Sequence, residues 1–382
     1  MKKKTVLVVA KKPVGGIKTY FKYIYSSPTF DSYRFIIITP SYELKDYFSE
    51  VFYRKEYEYI ETDDTNSAMV MATRKVLSRI ECDLLHTHGF TTGLILSVLA
   101  YWSRVPHIMT AHDVILDWQM PGVLGWIKSR AIGIGFSLID VVMAVGKDAG
   151  DNLVRRYPKL RVKEKLAVVR NGIDVEQFSK DGARNLRSEL NLDSSTLIFG
   201  FFGRFMPQKG FGYLIDAVDL LRVRNPDLKF LIVGFGQGGY IREEQQILRE
   251  RGLEKWFHFM PHTNEMPSAI RGVDAVVMPS LWEACPLLPM EAMVAGVPVL
   301  GSDCIGLKEV IENTPALMFK NANAESLAST MVQFTNDRQR YKKLAQEFIN
   351  TAAEKFNSKQ SAAGLQDLYQ KVLSGNRVFQ LS

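Results

Sequence analysis

The sequence has few cysteines and no long apolar run. Its three cysteines, Cys82, Cys285 and Cys304, are too few and too scattered for a disulfide framework or a zinc-binding pattern. No stretch approaches the roughly 20 consecutive apolar residues that cross a bilayer. The first apolar run, residues 5–10, is too short for a secretory signal and is followed by two lysines and a proline. We therefore expect a cytoplasmic protein whose chain begins with a buried strand.

Basic charge is concentrated in the first part of the chain. The 382 residues have a formal net charge of +7, but residues 1–170 contain 25 Lys and Arg against 17 Asp and Glu, so they carry +8 and the remainder −1. Such a basic half is typical of proteins that meet nucleic acid, an anionic membrane or a phosphorylated substrate, and also of an ordinary solvated surface. Neither a zinc-finger spacing nor the aromatic-rich basic signature of an RNA-binding sheet is present, so we expect no nucleic-acid partner.

Short apolar runs alternate with helical patterns along the whole chain. The predicted strands cover residues 5–10, 34–39, 83–88, 106–111, 140–145, 166–169, 197–203, 229–234, 256–260, 274–280 and 297–302. This alternation predicts an α/β fold with doubly wound parallel sheets. The chain exceeds the usual size of one core, and residues 171–182 have the composition of a connector. We therefore expect two domains, with the carboxyl ends of their strands facing a cleft.

Two carboxylates, Glu283 and Glu291, lie eight positions apart. Pro286 and Pro289 between them disfavour a continuous helix. We expect Glu283 in a loop and Glu291 in the first turn of a short helix that ends near Gly296. The free backbone N–H groups at the start of such a helix favour an anion, and phosphate is the obvious candidate.

Loops that suit a phosphorylated ligand follow several predicted strands. Arg204 and Lys209 share one loop, and cations placed there can neutralise a diphosphate. Gly15 and Gly16 follow the first strand, where paired glycines let a ligand approach the backbone closely; a plain tight turn is the alternative. The sequence GFGQGG at residues 234–239 matches G-x-G-x-x-G. Because it follows the second strand of its domain, we interpret it as a nucleotide-contacting turn and not as an NAD site.

Three histidines stand at the ends of predicted strands. His86 and His88 lie on the same face of one strand, but no third ligand follows at a recognisable spacing, so we do not predict zinc. We interpret His88 as a buried, hydrogen-bonded residue. His112 ends another strand and is followed by Asp113, an acid that could orient it. His112 is therefore the candidate for chemistry.

Residues 114–136 are strongly apolar and also basic. They include Trp118, Trp126, Lys128 and Arg130. One interpretation is a surface that docks on an anionic membrane or on a lipid acceptor. The other is a buried helix joined to a mobile loop.

In this order, the first-loop Gly-Gly, TAHD, NGID, GRFMPQKG and the two glutamates of SLWEACPLLPMEAM resemble the retaining glycosyltransferases of family 4, which have the GT-B fold. The resemblance covers almost the whole chain. It implies two doubly wound Rossmann-like domains that face each other across a cleft. Residues 1–170 plus about 357–382 would form an acceptor-side domain with a returning tail helix, and residues 171–356 would bind the nucleotide sugar.

The resemblance also implies roles for individual residues. Arg204 and Lys209 would hold the donor diphosphate, Glu291 the ribose hydroxyls and Glu283 a hydroxyl of the donor sugar. The implied catalytic residues are His112, Glu283, Arg204 and Lys209, and the implied donor-binding residues are Gly15, Gly16, Arg204, Lys209, Gly234, Leu287, Leu288 and Glu291. No metal is expected, consistent with the absence of an Asp-x-Asp motif from the chain. The resemblance implies no cofactor, because the nucleoside-diphosphate sugar is a donor substrate.

These features favour a retaining, metal-independent transfer of a hexose-type sugar from a nucleoside diphosphate, UDP by preference. The expected acceptor is a saccharide or a lipid-linked molecule of polysaccharide biosynthesis, and the expected location is the cytoplasm, with peripheral attachment to the inner face of the cell membrane. Ala284 and Pro286 replace glycines that are usual in the family, and Phe235 stands where Asp is frequent. The alternatives are a sugar-nucleotide epimerase of related fold and a catalytically silent sugar-nucleotide-binding subunit.

Overall fold

The computed structural model describes residues 2–40, 44–180, 182–236, 238 and 240–375. Within these residues the chain divides into two compact units. The first unit contains the described residues up to Gly172 and those from Ser358 onward, and the second unit is Ile173–Asn357.

The first unit is built on a parallel sheet with strand order β3-β2-β1-β4-β5-β6-β7. Its strands are β1 (Lys4–Ala10), β2 (Tyr33–Pro40), β3 (Glu56–Thr62), β4 (Leu84–His88), β5 (His107–Ala111), β6 (Val141–Ala144) and β7 (Leu166–Val168). Its helices are α1 (Gly16–Tyr25), α2 (Lys45–Val51), α3 (Asn66–Arg79), α4 (Phe90–Ser103), α5 (Gly122–Leu138), α6 (Lys147–Arg156), α7 (Lys159–Val162) and, from the end of the chain, α18 (Ser358–Leu373).

Apolar strands buried on both faces hold the first unit together. Val6 to Val9 of β1 are fully buried, as expected for a central parallel strand covered by helices on each side. Helix α18 packs against α1 and the 3₁₀ turn Pro28–Phe30. It places Leu365, Leu368 and Tyr369 in the core. Helix α18 is therefore part of the first unit's interior.

The second unit contains a parallel sheet with strand order β10-β9-β8-β11-β12-β13. Its strands are β8 (Leu197–Phe202), β9 (Phe230–Phe235), β10 (Phe257–Met260), β11 (Ala275–Met278), β12 (Val299–Ser302) and β13 (Leu317–Phe319). Its helices are α8 (Val175–Ser179), α9 (Leu186–Glu189), α10 (Phe211–Arg224), α11 (Ile241–Arg251), α12 (Met266–Arg271), α13 (Leu288–Val294), α14 (Leu307–Ile311), α15 (Ala324–Asn336), α16 (Arg338–Glu347) and α17 (Ile349–Lys355).

The predicted α/β class with doubly wound parallel sheets is confirmed, and each predicted strand has a counterpart. Two strands were not predicted. β3 alternates glutamate with tyrosine and has no fully buried residue, and β13 is only three residues long. Both lie at the edge of a sheet, where strands need not form long apolar runs.

Residues 114–136 form a mostly exposed structure, so the alternative of a buried helix is wrong. Helix α5 has 17 residues, of which only Gly125, Gly135 and Phe136 are buried. Its apolar side chains therefore face outward, which periodicity alone does not reveal because α5 is apolar on nearly every side.

Candidate functional site

The second sheet reverses its strand order next to β8, the classical location for ligands in a doubly wound sheet. The loop after β8 carries Lys209 at the end of the 3₁₀ turn Pro207–Lys209, and the loop after the neighbouring strand β11 carries Glu283. The Nζ of Lys209 donates a hydrogen bond of 2.6 Å to Oε1 of Glu283. Two residues that are far apart in sequence thus form one charged pair at this point of the sheet.

The carboxylate of Glu283 is buried and has a set of donors. Only 7% of Glu283 is exposed. The Oγ of Ser280 donates a second hydrogen bond, of 2.8 Å, to the same Oε1. The backbone N–H of Glu283 donates to the carbonyl of Ile305 at 3.0 Å. A buried carboxylate is tolerated only with such partners, so the position of this side chain is closely defined.

Glycines allow the loops around this pair to touch each other's backbone. Gly210, with φ of 66°, follows Lys209, and a β-carbon there would lie 1.9 Å from the carbonyl oxygen of Pro279. Gly306, with φ of 76°, precedes α14, and a β-carbon there would lie 2.3 Å from the carbonyl oxygen of Glu283. Any larger residue at either position would displace the loop that carries Glu283.

Gln208 connects the two loops by hydrogen bonds. Its carbonyl accepts from the N–H of Leu281 at 2.8 Å, and its Nε2 donates to the carbonyl of Trp282 at 3.0 Å. The loops after β8 and β11 are therefore held together by backbone contacts as well as by the ion pair.

Glu291 lies where the prolines predicted it. Helix α13 begins at Leu288, is capped by Leu287 and has Glu291 in its first turn. The helix ends at Val294, and Gly296 has a positive φ of 70°. Glu291 is 7% exposed. The predicted loop position of Glu283 and helical position of Glu291 are both confirmed, while the roles of Leu287, Leu288 and Glu291 in donor binding stay predictions.

Arg204 and Gly234, the other predicted donor-site residues of the second unit, lie in different surroundings. Arg204 is exposed and forms no ion pair with any residue that the structure describes. Gly234 lies inside β9 and not in the turn, and a β-carbon there would be 3.0 Å from the ring of Phe205. Gln237 and Gly239 of the glycine-rich turn lie outside the described residues.

The thiol of Cys304, close to Glu283 and Lys209, is not a nucleophile. Burial raises the pKa of this thiol to about 12, so Cys304 stays protonated at neutral pH.

In the first unit, Gly15 and Gly16 form the exposed loop that opens α1. Gly15 has φ of 56° and ψ of −129°, a conformation that favours glycine. A β-carbon at Gly16 would meet nothing within 4 Å. The backbone of this loop is therefore open, as its predicted role in ligand binding requires.

His112 belongs to a hydrogen-bonded cluster of histidines and tyrosines in the same unit. Nε2 of His112 lies 2.9 Å from Nδ1 of His88, and Nε2 of His88 lies 3.0 Å from the hydroxyl of Tyr25. That hydroxyl also lies 2.8 Å from Nδ1 of His86, which is 2.6 Å from the hydroxyl of Tyr369 in α18. The hydrogen-bonded interpretation of His88 is confirmed.

Burial keeps these imidazoles neutral. It lowers the pKa of His112 to about 3 and, together with the neighbouring histidines, holds the pKa of His86 and of His88 well below the ordinary 6.5. A neutral His112 can donate or accept one hydrogen bond at each nitrogen but carries no charge at neutral pH. Asp113, the expected orienting acid, uses its Oδ1 to accept from the N–H of Val114 at 2.8 Å.

Several of these contacts could not be found from the sequence. No sequence motif identifies the residues that make these contacts, which are Ser280, Gln208, Tyr25 and Tyr369; the only signal is that Ser280 lies three residues before Glu283.

Among the described residues, no group of three or more His, Cys, Asp or Glu side chains is arranged to hold a metal ion. In the same part of the chain, no helix combines the length and apolar character that crossing a bilayer requires.

Two family models match the chain in succession. Residues 14–177 match Glycosyltransferase Family 4 and residues 183–355 match Glycosyl transferases group 1.

Two curated relatives are enzymes. The α-maltose-1-phosphate synthase of Mycolicibacterium smegmatis is 29% identical over 259 residues, which are 63% of this chain and 65% of that protein. The UDP-Gal:α-D-GlcNAc-diphosphoundecaprenol α-1,3-galactosyltransferase of Escherichia coli is 25% identical over 277 residues, 69% of each chain.

The crystal structure of Anabaena Alr3699/HepE with UDP and glucose is similar in fold. It has a TM-score of 0.81 and 18% identity, and the alignment covers 96% of this chain and 100% of that one. The two family matches and the similarity in fold agree with the loops that bring Lys209 to Glu283. The chain therefore belongs to glycosyltransferase family 4 and has the two α/β units of a GT-B glycosyltransferase.

Proposed function

We propose that this glycosyltransferase moves a hexose-type sugar from a nucleoside-diphosphate sugar, UDP by preference, to a saccharide or lipid-linked acceptor of polysaccharide biosynthesis, with retention of anomeric configuration and without a metal. The observation that carries the proposal is the pair Lys209–Glu283, which unites a cation and a carboxylate at the strand-order reversal of the second sheet.

The two members of the pair suit different parts of one donor. The ammonium of Lys209 matches a diphosphate, and exposed Arg204 on the same loop adds a second cation. The carboxylate of Glu283 would repel a phosphate, so we assign it to a neutral hydroxyl of the sugar. Glu291 is assigned to the ribose diol for the same reason. The second unit would therefore bind the donor through three chemically distinct contacts.

The charge that develops in the reaction lies on the leaving nucleoside diphosphate. Lys209 and Arg204 would stabilise that charge most strongly in the transition state, which is where binding accelerates a reaction. The bond between the anomeric carbon and the phosphate oxygen breaks, and the acceptor oxygen bonds to that carbon from the same face. The acceptor proton passes to the leaving phosphate, so the step balances without an enzyme nucleophile.

Relatives support the choice of donor and acceptor. The name of the Escherichia coli relative specifies UDP-galactose as donor and a diphosphoundecaprenol-linked sugar as acceptor. The Anabaena structures contain UDP with glucose, and UDP-glucose. We assign the acceptor to the first unit, where His112 remains the predicted catalytic residue.

A thermal-shift screen of UDP-, GDP- and ADP-sugars tests the donor proposal. A ligand at a hundred times its Kd stabilises the native state by about 2.7 kcal/mol, which gives a clear rise in Tm. We expect UDP-sugars to raise Tm most, and UDP to do so more than UMP because Lys209 needs the second phosphate. If none of the three classes of donor raises Tm, the proposed function is contradicted.

Retention is tested on the product. Proton NMR of the sugar transferred from an α-linked donor should show the α-anomeric coupling in the first product formed. A β-linked product would contradict the retaining assignment while leaving the donor proposal intact.

A further inference from the structure

Helices α4 and α5 of the first unit expose large apolar side chains that no described residue covers. We call this surface the tryptophan face; its principal members are Tyr101, Trp102, Leu124, Trp126, Ile127 and Ile134. Trp102 and Leu124 are each 81% exposed, values that are unusual for side chains of this size. A cluster of exposed apolar side chains on two packed helices is typical of an interaction site.

The exposed positions follow helical spacing, so they form continuous stripes. In α5, Val123, Ile127, Arg130 and Ile134 recur at intervals of three and four, and all are exposed. The opposite side of α5 packs on α4, where a β-carbon at Gly135 would lie 2.6 Å from the Leu94 side chain. The stripe therefore points away from the contact between the two helices.

The tryptophan face contains no acidic residue and carries positive charge. Neither α4 nor α5 has an Asp or Glu, while α5 has Lys128 and Arg130. The guanidinium of Arg130 lies over the Trp126 ring, 5.5 Å from its centroid. An apolar helix face edged by lysine, arginine and tryptophan is the composition that proteins use at the headgroup level of a bilayer.

A basic segment adjoins the tryptophan face through Tyr157. The ring of Tyr157 packs edge-to-face on Phe136 of α5, and its hydroxyl lies 3.3 Å from that of Ser129. Residues 158–163, which follow directly, include the exposed Lys159, Arg161 and Lys163. Val162 between them is 81% exposed. The segment thus extends the face with three cations and one more apolar side chain.

We propose that the tryptophan face and the basic segment, residues 158–163, dock this enzyme on an anionic lipid bilayer. The cations match phosphate headgroups, each lysine or arginine contributing about fivefold to membrane affinity, and the aromatic and aliphatic side chains enter the interface. A second copy of the chain is a poorer occupant, because a symmetric contact would bring the basic segments together. Docking here goes beyond sugar transfer and needs no nucleotide sugar.

Vesicle flotation of the full-length protein tests the proposal, with no donor present. We expect flotation with phosphatidylcholine vesicles that contain phosphatidylglycerol, little with phosphatidylcholine alone, and release by salt. The double variant R161S/K163S should bind about 25-fold more weakly. The double variant L124S/W126S should bind the vesicles about tenfold more weakly or worse, because burial of leucine and tryptophan side chains in the bilayer interface contributes at least that much affinity. Unchanged Tm values will show that these exposed substitutions leave the protein folded.

The matched controls are V223S on α10 and K255S, which remove an exposed apolar and an exposed basic residue from the second unit. Both should float like the parent protein. Flotation with neither vesicle, or binding that neither double variant weakens, would overturn the proposal. So would a dimer in solution that L124S/W126S dissociates, because that result assigns the face to a second copy. Donor binding by the same samples, measured by thermal shift, separates this failure from a failure of the proposed function.

Discussion

Lys209 and Glu283, which are 74 residues apart in the chain, lie 2.6 Å from each other as an ion pair between the loops after two neighbouring strands. The lysine side chain is about a quarter exposed, at 23%, whereas the glutamate side chain is 9% exposed. The cation therefore remains accessible to a ligand while the carboxylate that holds it is largely buried.

Replacing Glu283 by glutamine should separate nucleotide binding from sugar transfer. The change removes a negative charge beside the predicted diphosphate site and releases Lys209, so we expect E283Q to bind UDP as tightly as the parent or more tightly. Transfer should fall by about a hundredfold, the order seen when one preorganised polar contact is lost. Calorimetric titration with UDP and a coupled UDP-release assay measure the two effects.

The control is E312Q, an exposed glutamate of the same unit, which should leave both quantities unchanged. Weaker UDP binding by E283Q would show that the carboxylate supports the phosphate and not the sugar.

Gly306 should be indispensable for the position of Glu283. G306A places a methyl group against the Glu283 carbonyl at a positive φ, so we expect a loss of about 1–3 kcal/mol in the free energy of unfolding or a displaced loop. In contrast, G212A in helix α10, where a β-carbon meets nothing within 4 Å, should stabilise by about 0.5–1 kcal/mol. Urea unfolding of both variants checks this, and equal stability of the two would contradict it.

The hydroxyl of Tyr25 should matter more than that of Tyr20, although both residues are buried on α1. Tyr25 lies within hydrogen-bonding distance of His86, His88 and Tyr369, so Y25F should lose about 1–3 kcal/mol of stability. The Tyr20 hydroxyl is buried with no hydrogen-bond partner among the described residues, and Y20F should be neutral or slightly stabilising. Thermal unfolding compares them, and a greater loss in Y20F would show that its hydroxyl has a partner.

Acid should destabilise the first unit before carboxylates are protonated. Burial lowers the pKa of His107 to about 3, as it does that of His112, while the unfolded chain titrates near 6.5. Unfolding therefore takes up protons between these values. The free energy of unfolding therefore keeps its full value above pH 6.5. It decreases as the pH falls toward 3, by up to about 1.4 kcal/mol per pH unit for each such histidine.

Urea unfolding between pH 7.5 and 5 measures this slope, and H107Q should reduce it by about one proton. A stability that does not change across this range would mean that the buried histidines are already charged in the native state.

Much of the fold follows from features that the sequence displays locally. Strands such as β1 and β2 are continuous apolar runs because both faces of a parallel sheet are covered. The different positions of Glu283 and Glu291 follow from Pro286 and Pro289, which act on the backbone next to them. Local chemistry of this kind needs no knowledge of the tertiary structure.

The parts that were not predicted depend on contacts between distant segments. The hydroxyl of Tyr369 contacts His86, which is 283 residues away in the sequence, and no sequence pattern around either residue predicts this contact. Gly306 matters because its backbone meets that of Glu283, which no local rule reveals. Helix α5 is apolar on nearly every side, so its sequence favours burial as much as the exposure that the structure shows.

Calorimetric titration of UDP into the parent protein and K209A tests the donor site most directly. Loss of a charged hydrogen bond should weaken binding by roughly 1.5–3 kcal/mol, which is about tenfold to 160-fold in Kd. K229A, an exposed lysine of the same unit, should bind UDP like the parent. The predicted result is a selective loss in K209A, and an unchanged UDP affinity in that variant would remove Lys209 from the site and contradict the proposed function.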